Sequence, residues 1–188
     1  KDSVEQAFQE ITIDNYTLLP RTLLEVQTEK NHFAEFNHAV NEVTVSRKDS
    51  SAMIIVNAEL NGEYLNSYWA DGLIVSTPTG STAYNLACGG PIVDPESQLF
   101  AITPIAPHNL NVRPLVVPDN KSIRLTVEGR SRHYLLSLDG HSVNLQNGEE
   151  VLIKKADFDI KMIKLPSNSF YETIRNKMLW GLDRRNQF

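Results

Sequence analysis

Five hydroxyl-bearing residues lie within seven positions of this chain, between an apolar run and a stretch with helical signals. They are Ser76, Thr77, Thr79, Ser81 and Thr82. Hydroxyl groups beside the unpaired backbone N–H groups of a helix start suit hydrogen bonding to a polar ligand. A phosphate-gripping loop would also need a lysine, and no lysine lies between Lys48 and Lys121. The segment therefore favours a ribose or a base over a triphosphate.

The neighbouring residues predict the elements that position these hydroxyl groups. The apolar run 73–75 is typical of a strand, and Pro78 ends it because proline donates no hydrogen bond to a ladder. Ser81 is predicted to cap a helix over residues 82–88, which Gly89-Gly90-Pro91 then stops. The alternative is a surface turn that caps a helix and binds nothing, and such turns are common.

Short strands separated by turns dominate the rest of the chain. Asn61-Gly62 predicts a hairpin, Gly129 is predicted to turn one strand into the next, and Asn147-Gly148 is predicted to form another hairpin. The pattern indicates a mainly β, β-sandwich-like fold with short helices. Strands are predicted at 51–60, 63–70, 122–128, 133–138, 151–153 and 158–165, and helices in the N-terminal tail, at 82–88, at 95–103 and near 169–179.

The composition of the 188 residues bounds the partners of the chain. With 41% hydrophobic residues it has enough apolar sequence for one core, and a formal net charge of −5 argues against a nucleic-acid or acidic membrane surface. No apolar run approaches the ~18 residues of a membrane helix, and residues 1–10 are polar, unlike a signal peptide. The single cysteine, Cys88, fits a reducing compartment. We therefore expect a cytoplasmic protein.

Neither Cys88 nor the histidines predict a reactive or metal-binding centre. Cys88 has no adjacent base in the sequence, so it is interpreted as a small buried apolar residue rather than a nucleophile. The five histidines are scattered, and no spacing among them indicates a metal site.

Four motifs in order resemble one family. The segment DGLIVSTPTGSTAYNLACGGPIV at 71–93 resembles the signature loop of the NAD kinases, which phosphorylate NAD to NADP with ATP or polyphosphate. FNHAVNEV at 36–43, PHNLNVRPLVVP at 107–118 and LDGH at 138–141 also fit the family. The resemblance covers about residues 15 to 182, and it agrees with a β-sandwich-like C-terminal domain.

The resemblance implies residues that bind NAD. Asn41 and Glu42 would hydrogen-bond the ribose hydroxyls of the adenosine half, and a carboxylate accepting two vicinal hydroxyls is suitable chemistry for that contact. Thr82 and Ala83 would frame the adenine, with Thr79 near the phosphates or the ribose. Without the family, Asn41 and Glu42 would be interpreted as an exposed pair at a strand edge.

The resemblance implies further NAD contacts by residues before and after the hydroxyl-rich loop. Tyr84 would stack on a base or contact a ligand in a neighbouring subunit, and Asp71 would bind the nicotinamide end. Ala87 and His141 complete the set. His141 stands where the family usually has glutamine, which would make its hydrogen bond sensitive to pH. Taken alone, Tyr84 would be a core or interface residue and Asp71 a turn residue.

The resemblance also implies a two-part enzyme. The family's Gly-Gly-Asp-Gly motif, whose aspartate is the proposed general base, is absent, because Gly89-Gly90 is followed by Pro91. We therefore expect residues 1–188 to be the C-terminal domain of a longer protein, without a catalytic residue and inactive alone. The tail at about 168–188 would pack back toward the N-terminal α/β half. Mg²⁺ or another divalent cation would arrive with ATP, and the protein would form dimers or tetramers.

Two alternatives remain open. Lipid kinases of the diacylglycerol and sphingosine type share the implied architecture but would need an apolar slot for acyl chains. A non-catalytic nucleotide-sensing or oligomerisation module is the other. The Asn-Glu pair and the hydroxyl-rich loop favour a nucleoside over a lipid.

Overall fold

The structure is a computed structural model that describes residues 2–48, 52–166 and 169–179. The chain divides into a larger unit, residues 21–160, and a smaller unit made of residues 1–20 and 161–188. Of the tail predicted at about 168–188, residue 168 and residues 180–188 lie outside the described residues.

Twelve strands account for most of the described part of the chain. Three α-helices and one 3₁₀-helix complete it: α1 (Asp2–Thr12), the 3₁₀-helix (Thr79–Thr82), α2 (Tyr84–Ala87) and α3 (Phe170–Met178). The strands are β1 (Thr17–Thr28), β2 (His38–Ala39), β3 (Glu42–Arg47), β4 (Ile54–Leu60), β5 (Glu63–Ala70), β6 (Gly72–Ser76), β7 (Leu99–Ile105), β8 (Leu115–Pro118), β9 (Ile123–Gly129), β10 (His133–Leu138), β11 (His141–Gln146) and β12 (Val151–Lys164).

These strands form two six-stranded sheets within the described residues. The first has the order β2-β1-β12-β9-β4-β5 and the second the order β11-β10-β3-β6-β7-β8. All neighbouring strands of the second sheet run antiparallel. The mainly β, sandwich-like fold is therefore confirmed.

Alternating side chains build the core of the larger unit. On β9, Ile123, Leu125 and Val127 are buried, whereas Arg124 and Glu128 point toward solvent. The central strand β6 is buried along its whole length, which explains its continuous apolar sequence. Residues of both sheets contribute to one apolar cluster, so burial between the sheets holds the strand ends of the second sheet in place.

Only one of the three predicted hairpins is confirmed. Asn61 and Gly62 adopt φ values of 51° and 82° and join the paired strands β4 and β5. The strand predicted from residue 51 begins at Ile54, and residue 51 lies outside the described residues.

The other two hairpin predictions are wrong, because both connections cross from one sheet to the other. Strand β9 pairs with β4 and β12, whereas β10 pairs with β3 and β11. The side chain of Asn147 donates to Gly129 O at 3.0 Å and to Ser131 O at 2.7 Å, which ties the two crossings together. A strand with one apolar face fits either sheet of a sandwich, so its pattern does not choose the pairing partner.

Two further element predictions need correction. The helix predicted at 95–103 is wrong, since Leu99–Ile105 forms strand β7, whose residues 100–104 are all buried. The strands predicted at 151–153 and 158–165 are one strand, β12. The helices of the N-terminal tail and of residues 169–179 are confirmed as α1 and α3, and the Ser169 hydroxyl accepts from Glu172 N at the start of α3.

The smaller unit exposes many apolar side chains. Val4, Phe8 and Ile11 share one face of α1 through their spacing, and Phe8 is 68% exposed. Ile13, Leu18, Met162, Ile163, Tyr171 and Leu179 are also exposed. Among the described helices, none is long and apolar enough to cross a bilayer.

Candidate functional site

The candidate site forms where three strands of the second sheet end side by side. Strand β3 lies between β10 and β6, and the register places Glu42 opposite Ser76 and Val43 opposite Leu138. Segments far apart in the sequence, the Asn41-Glu42 pair, the hydroxyl-rich loop and the β10–β11 turn, therefore meet at one edge.

Three of the five hydroxyl groups stabilise the loop itself. Thr77 Oγ1 donates to Val40 O at 2.5 Å and accepts from Gly80 N at 3.0 Å. Ser81 Oγ accepts from Val93 N at 3.0 Å and donates to Val93 O at 3.2 Å, and Ser76 Oγ donates to Thr77 O at 2.9 Å. All three side chains are buried, so these groups hold the loop in shape rather than contact a ligand.

The other two hydroxyl groups remain available. Thr79 is half-buried and Thr82 is exposed, and neither side chain has a hydrogen-bonding partner among the described residues. Ala83 is half-buried, while Tyr84 and Ala87 are exposed on the same short segment. The predicted nucleoside-binding residues of the loop are thus the ones that its own packing leaves uncovered.

The helix predicted over residues 82–88 is shorter than expected. A 3₁₀-helix over Thr79–Thr82 comes first, and α2 spans only Tyr84–Ala87, with Ala83 at its N-terminus. Ser81 does not cap it, because its hydroxyl is bonded to Val93 instead. Gly89, with φ of 77°, ends the segment as predicted.

The packing of Asn85 against Gly90 was not identified from the sequence, which indicated Gly90 only as part of a helix stop. Asn85 is fully buried: its Nδ2 donates to Ser81 O at 3.0 Å and Pro91 O at 3.1 Å, and its Oδ1 accepts from Thr103 at 2.6 Å. A Cβ on Gly90 would lie 2.0 Å from Asn85 Oδ1. In the sequence, Asn85 shows only as a polar residue in the segment between the hydroxyl-rich loop and Gly89-Gly90, which does not indicate burial.

Glu42 carries the main unsatisfied polar atom of the site. The residue is 9% exposed, and its Oε2 is buried with no hydrogen-bonding partner in the described part of the chain. Burial raises the pKa of the Glu42 carboxyl, the negative charge of Asp139 raises it further, and the backbone N–H of Tyr84 partly opposes both. A buried acceptor without a donor is costly, so this oxygen suits a hydroxyl group supplied by a ligand.

Asp139 holds the Asn41-Glu42 segment. Its Oδ2 accepts from Val40 N at 2.8 Å, and its Oδ1 accepts from Asn41 N at 2.8 Å and from Glu42 N at 3.0 Å. The backbone N–H of Asp139 donates in return to Glu42 O at 3.0 Å. His141, which was predicted to bind NAD, is the first residue of β11; it is exposed and makes no side-chain hydrogen bond within the described residues.

Asp71 precedes β6, whereas the hydroxyl-rich loop begins with the last residue of β6, Ser76, about 17 Å away along the strand. Its Oδ1 is 2.9 Å from Arg47 Nε in an ion pair, and Arg47 lines a cavity of about 680 Å³ with Trp69 and Met53. That cavity contains none of the residues around Glu42. The structure therefore does not bring Asp71 into hydrogen-bonding contact with Glu42 or Thr82 within the described chain.

Tyr84 interacts with groups at both ends of β6: its phenol with the charge of Asp71, and its backbone N–H with the Glu42 carboxyl. Burial raises the pKa of its phenol, and the Cys88 thiol, which is hydrogen-bonded to it, and the charge of Asp71 raise it further. Burial also raises the pKa of Cys88, opposed by the Tyr84 hydrogen bond and assisted by the Glu42 charge. A thiol with a raised pKa is a poor nucleophile, which agrees with the interpretation of Cys88 as structural.

Comparisons with curated proteins find close relatives over nearly the whole chain. It is 54% identical to the NAD kinase of Flavobacterium johnsoniae and 52% identical to that of Flavobacterium psychrophilum, over 99% of this chain in each case. An NAD kinase of Bacteroides fragilis is 42% identical over 98% of it. The chain spans about 64% of the length of the Flavobacterium relatives.

Solved structures share the fold. A yeast NADH kinase complexed with NADH superposes with a TM-score of 0.85 and 30% identity, covering 96% of this chain and 54% of the yeast chain. An NAD kinase from Archaeoglobus fulgidus in complex with ATP gives a TM-score of 0.70 and 27% identity, covering 86% and 60% of the two chains.

The family model of the ATP-NAD kinase C-terminal domain matches residues 40–165, a segment that contains Asn41, Glu42, the hydroxyl-rich loop and Asp139. This match covers well over half of the chain, and it agrees with the relatives and with the fold. The chain therefore belongs to the NAD kinase family.

Proposed function

We propose that this site binds the adenosine half of NAD, and that the full-length protein phosphorylates the 2′-hydroxyl of the adenosine ribose to give NADP. The observation that carries the proposal is the buried Oε2 of Glu42, which lies next to Asn41 and accepts from no donor in the described part of the chain. The Asn41 side-chain amide also has no partner among the described residues, so the pair offers both acceptors and a donor to a vicinal diol.

The loop residues provide the rest of the nucleoside site in this proposal. The free hydroxyl of Thr82 and the backbone of Ala83 contact the adenine, and Thr79 lies toward the ribose or phosphates. Tyr84 supplies an aromatic face, and Ala87 leaves room beside it. Asp71 is paired with Arg47 at the end of β3 away from Glu42, so a nicotinamide contact by Asp71 would involve a neighbouring subunit in a homodimer or homotetramer. His141 follows the β10–β11 turn, opposite Leu138, and completes the proposed set.

Phosphoryl transfer depends mostly on positioning and on neutralising charge, so a domain that holds the acceptor nucleoside contributes much of the specificity. Relatives support both substrates: the yeast neighbour binds NADH and the Archaeoglobus neighbour binds ATP. ATP or polyphosphate is the proposed donor, with Mg²⁺ or another divalent cation held on its phosphates. The described residues contain no group of three or more His, Cys, Asp or Glu side chains arranged for a metal ion.

The catalytic base is proposed to lie outside these 188 residues. The chain spans about 64% of the length of its relatives. The exposed apolar side chains of α1 and α3 agree with a surface that further protein covers, including the N-terminal half toward which the tail would pack. Residues 1–188 alone would bind NAD but form no NADP, and the full-length protein would act in the cytoplasm.

The relatives favour this proposal over the alternatives. They are NAD kinases, and no comparison gives support to a lipid kinase. A non-catalytic sensing module would bind NAD without turnover. Assays of NADP formation with the full-length protein, Mg²⁺ and either ATP or polyphosphate therefore test the proposal.

We expect turnover by the full-length protein and none by residues 1–188 at the same concentration. General base catalysis contributes about 10²–10⁴-fold, and loss of part of the donor site would add to that difference. An inactive full-length protein that still binds NAD would favour the sensing module. Turnover by residues 1–188 would place the base within this chain.

A further inference from the structure

The Asp139 carboxylate is the most strongly hydrogen-bonded group of the site to which the proposed binding of NAD assigns no role. It accepts hydrogen bonds from three consecutive backbone N–H groups, those of Val40, Asn41 and Glu42. Asp139 itself has φ of 50°, a left-handed conformation that is uncommon outside glycine and is tolerated by aspartate. Together with the Asp139 N–H to Glu42 O bond, these contacts fix the backbone from which both diol-binding side chains project.

The negative charge of Asp139 also acts on the ionisation of the Glu42 carboxyl. The groups that face the Glu42 carboxylate are Asp139 from the β10–β11 turn and, from the α2 segment, the Tyr84 backbone N–H and the Cys88 thiol. Asp139 is the charged one among them. Its Oδ1 lies 3.0 Å from the backbone N of Glu42, so the Asp139 charge is held beside the residue that carries the Glu42 carboxylate, and neighbouring like charges disfavour two ionised carboxylates.

We propose that Asp139 is a positioning residue for the nucleoside, and that its charge makes the Glu42 carboxylate depend on the hydroxyl donors of the bound ligand. This inference rests on the proposed function of the site. Without a ligand, the buried Oε2 of Glu42 has no donor among residues 2–48, 52–166 and 169–179, and Asp139 is its negative neighbour. A ribose diol donates hydrogen bonds to the charged Glu42 carboxylate, which compensates for the missing donor and for the repulsion by Asp139.

The pH dependence of binding follows from this arrangement. Ligand hydroxyl groups favour ionised Glu42, so the bound state has a lower Glu42 pKa than the free state and binding releases protons near the free-state pKa. Affinity for NAD therefore rises as pH increases through that range and then levels off. Burial raises the free-state pKa of Glu42 and the charge of Asp139 raises it further, so removing that charge moves the rise to lower pH.

The test is calorimetric titration of the full-length protein with NAD over a series of pH values, in two buffers of different ionisation enthalpy, which counts the protons released. Asp139→Asn keeps one acceptor oxygen but removes the charge and places an amide opposite Val40 N. We expect a roughly three- to tenfold loss of affinity near neutral pH, together with a rise in affinity at lower pH than in the wild type. Glu42→Gln should abolish the proton release.

Asp119→Asn is the matched control, because Asp119 is also buried in a charged contact, with Lys155 Nζ 2.7 Å from its carboxylate, outside the site. It should leave the pH profile of NAD binding unchanged. Thermal unfolding identifies variants that do not fold, and Asp139→Ser then replaces Asp139→Asn.

The outcomes separate this inference from the proposed function. A wild-type protein that binds no NAD contradicts the proposed function itself. A wild type that binds NAD, with an Asp139 variant that is weaker at every pH by the same factor, limits Asp139 to a structural role and overturns the inference. Failure of both Asp139 variants to fold overturns it as well.

Discussion

Gly80 lies directly against the backbone of Asn41: a Cβ on Gly80 would be 2.1 Å from Asn41 O and 2.6 Å from Asn41 Cα. Thr77 N also donates to Asn41 O at 2.9 Å. The hydroxyl-rich loop is thus packed on the Asn-Glu segment with no room for a side chain. The two NAD-binding motifs predicted from the sequence form one unit.

This contact predicts the effect of Gly80→Ala. The added methyl group clashes with main-chain atoms, which cannot rotate away, so the loop must move from Asn41. We expect a loss of about 1–3 kcal/mol in the free energy of unfolding, with weaker NAD binding. Chemical denaturation and calorimetry of the full-length protein measure the two effects.

Gly140→Ala is the control, since a Cβ there meets nothing within 4 Å. It should change neither quantity appreciably. If Gly80→Ala bound NAD as tightly as the wild type, the loop and the Asn-Glu segment would not act as one unit.

The valine variants of Thr77 and Thr82 are predicted to differ: one loses stability and the other loses affinity for NAD. Thr82 is exposed and its hydroxyl has no partner where the structure describes the chain, so Thr82→Val should weaken NAD binding by about 1–3 kcal/mol while leaving stability nearly unchanged. Thr77 is buried and bonded to Val40 O and Gly80 N, so Thr77→Val should lower stability. Calorimetric titration and thermal unfolding of both folded variants distinguish the cases. An unchanged dissociation constant for Thr82→Val would remove it from the adenine site.

Glu149 predicts acid sensitivity of the fold. Burial opposes its ionisation, but hydrogen bonds from His32, Lys30 and the backbone of Gln146 outweigh burial and lower its pKa to about 2 from 4.5. A carboxyl whose pKa is lower in the folded state stabilises the fold above the unfolded-state pKa, and loses that contribution as pH falls from about 4.5 toward 2. Solvent around the exposed Lys30 screens part of this interaction, so the contribution is less than about 3 kcal/mol.

Denaturant unfolding between pH 7 and pH 3 measures this contribution. The wild type should lose more stability over that interval than Glu149→Gln does. Glu59→Gln serves as a control, because Glu59 is exposed and its carboxylate is 3.8 Å from Arg124 in a surface pair. Equal losses for the wild type and Glu149→Gln would show that Glu149 does not cause the acid sensitivity.

The sequence predicted the motifs better than their surroundings. Glu42 and Thr82 were identified through a resemblance, and Glu42 Oε2 and the Thr82 hydroxyl have no hydrogen-bonding partner among the described residues, so their roles in binding stay predictions. The roles of Ser81 and Asn85 were not predictable in the same way. A hydroxyl before a short helix favours a cap, yet the backbone of Val93, twelve residues further along the chain, gave the Ser81 hydroxyl both a donor and an acceptor.

Strand pairing was the harder part of the fold. Asn61-Gly62 specifies its turn locally through two positive φ values, so that hairpin was predictable. Gly129 and Gly148 lie at crossings between the sheets instead. Whether each glycine turns a hairpin or a crossing depends on which strands pair with β4 and β3. This non-local information is absent from a period-two pattern.

Glu42→Gln tests the central claim most directly, in calorimetric titrations of the full-length protein with NAD. The variant keeps the shape of Glu42 but removes the charge, and hydrogen bonds to charged acceptors are about twice as strong as neutral ones. We predict clearly weaker NAD binding, a raised KM for NAD and a nearly unchanged KM for ATP, while Glu59→Gln resembles the wild type. Equal NAD affinity in Glu42→Gln and the wild type would contradict the assignment of this site to the ribose of NAD.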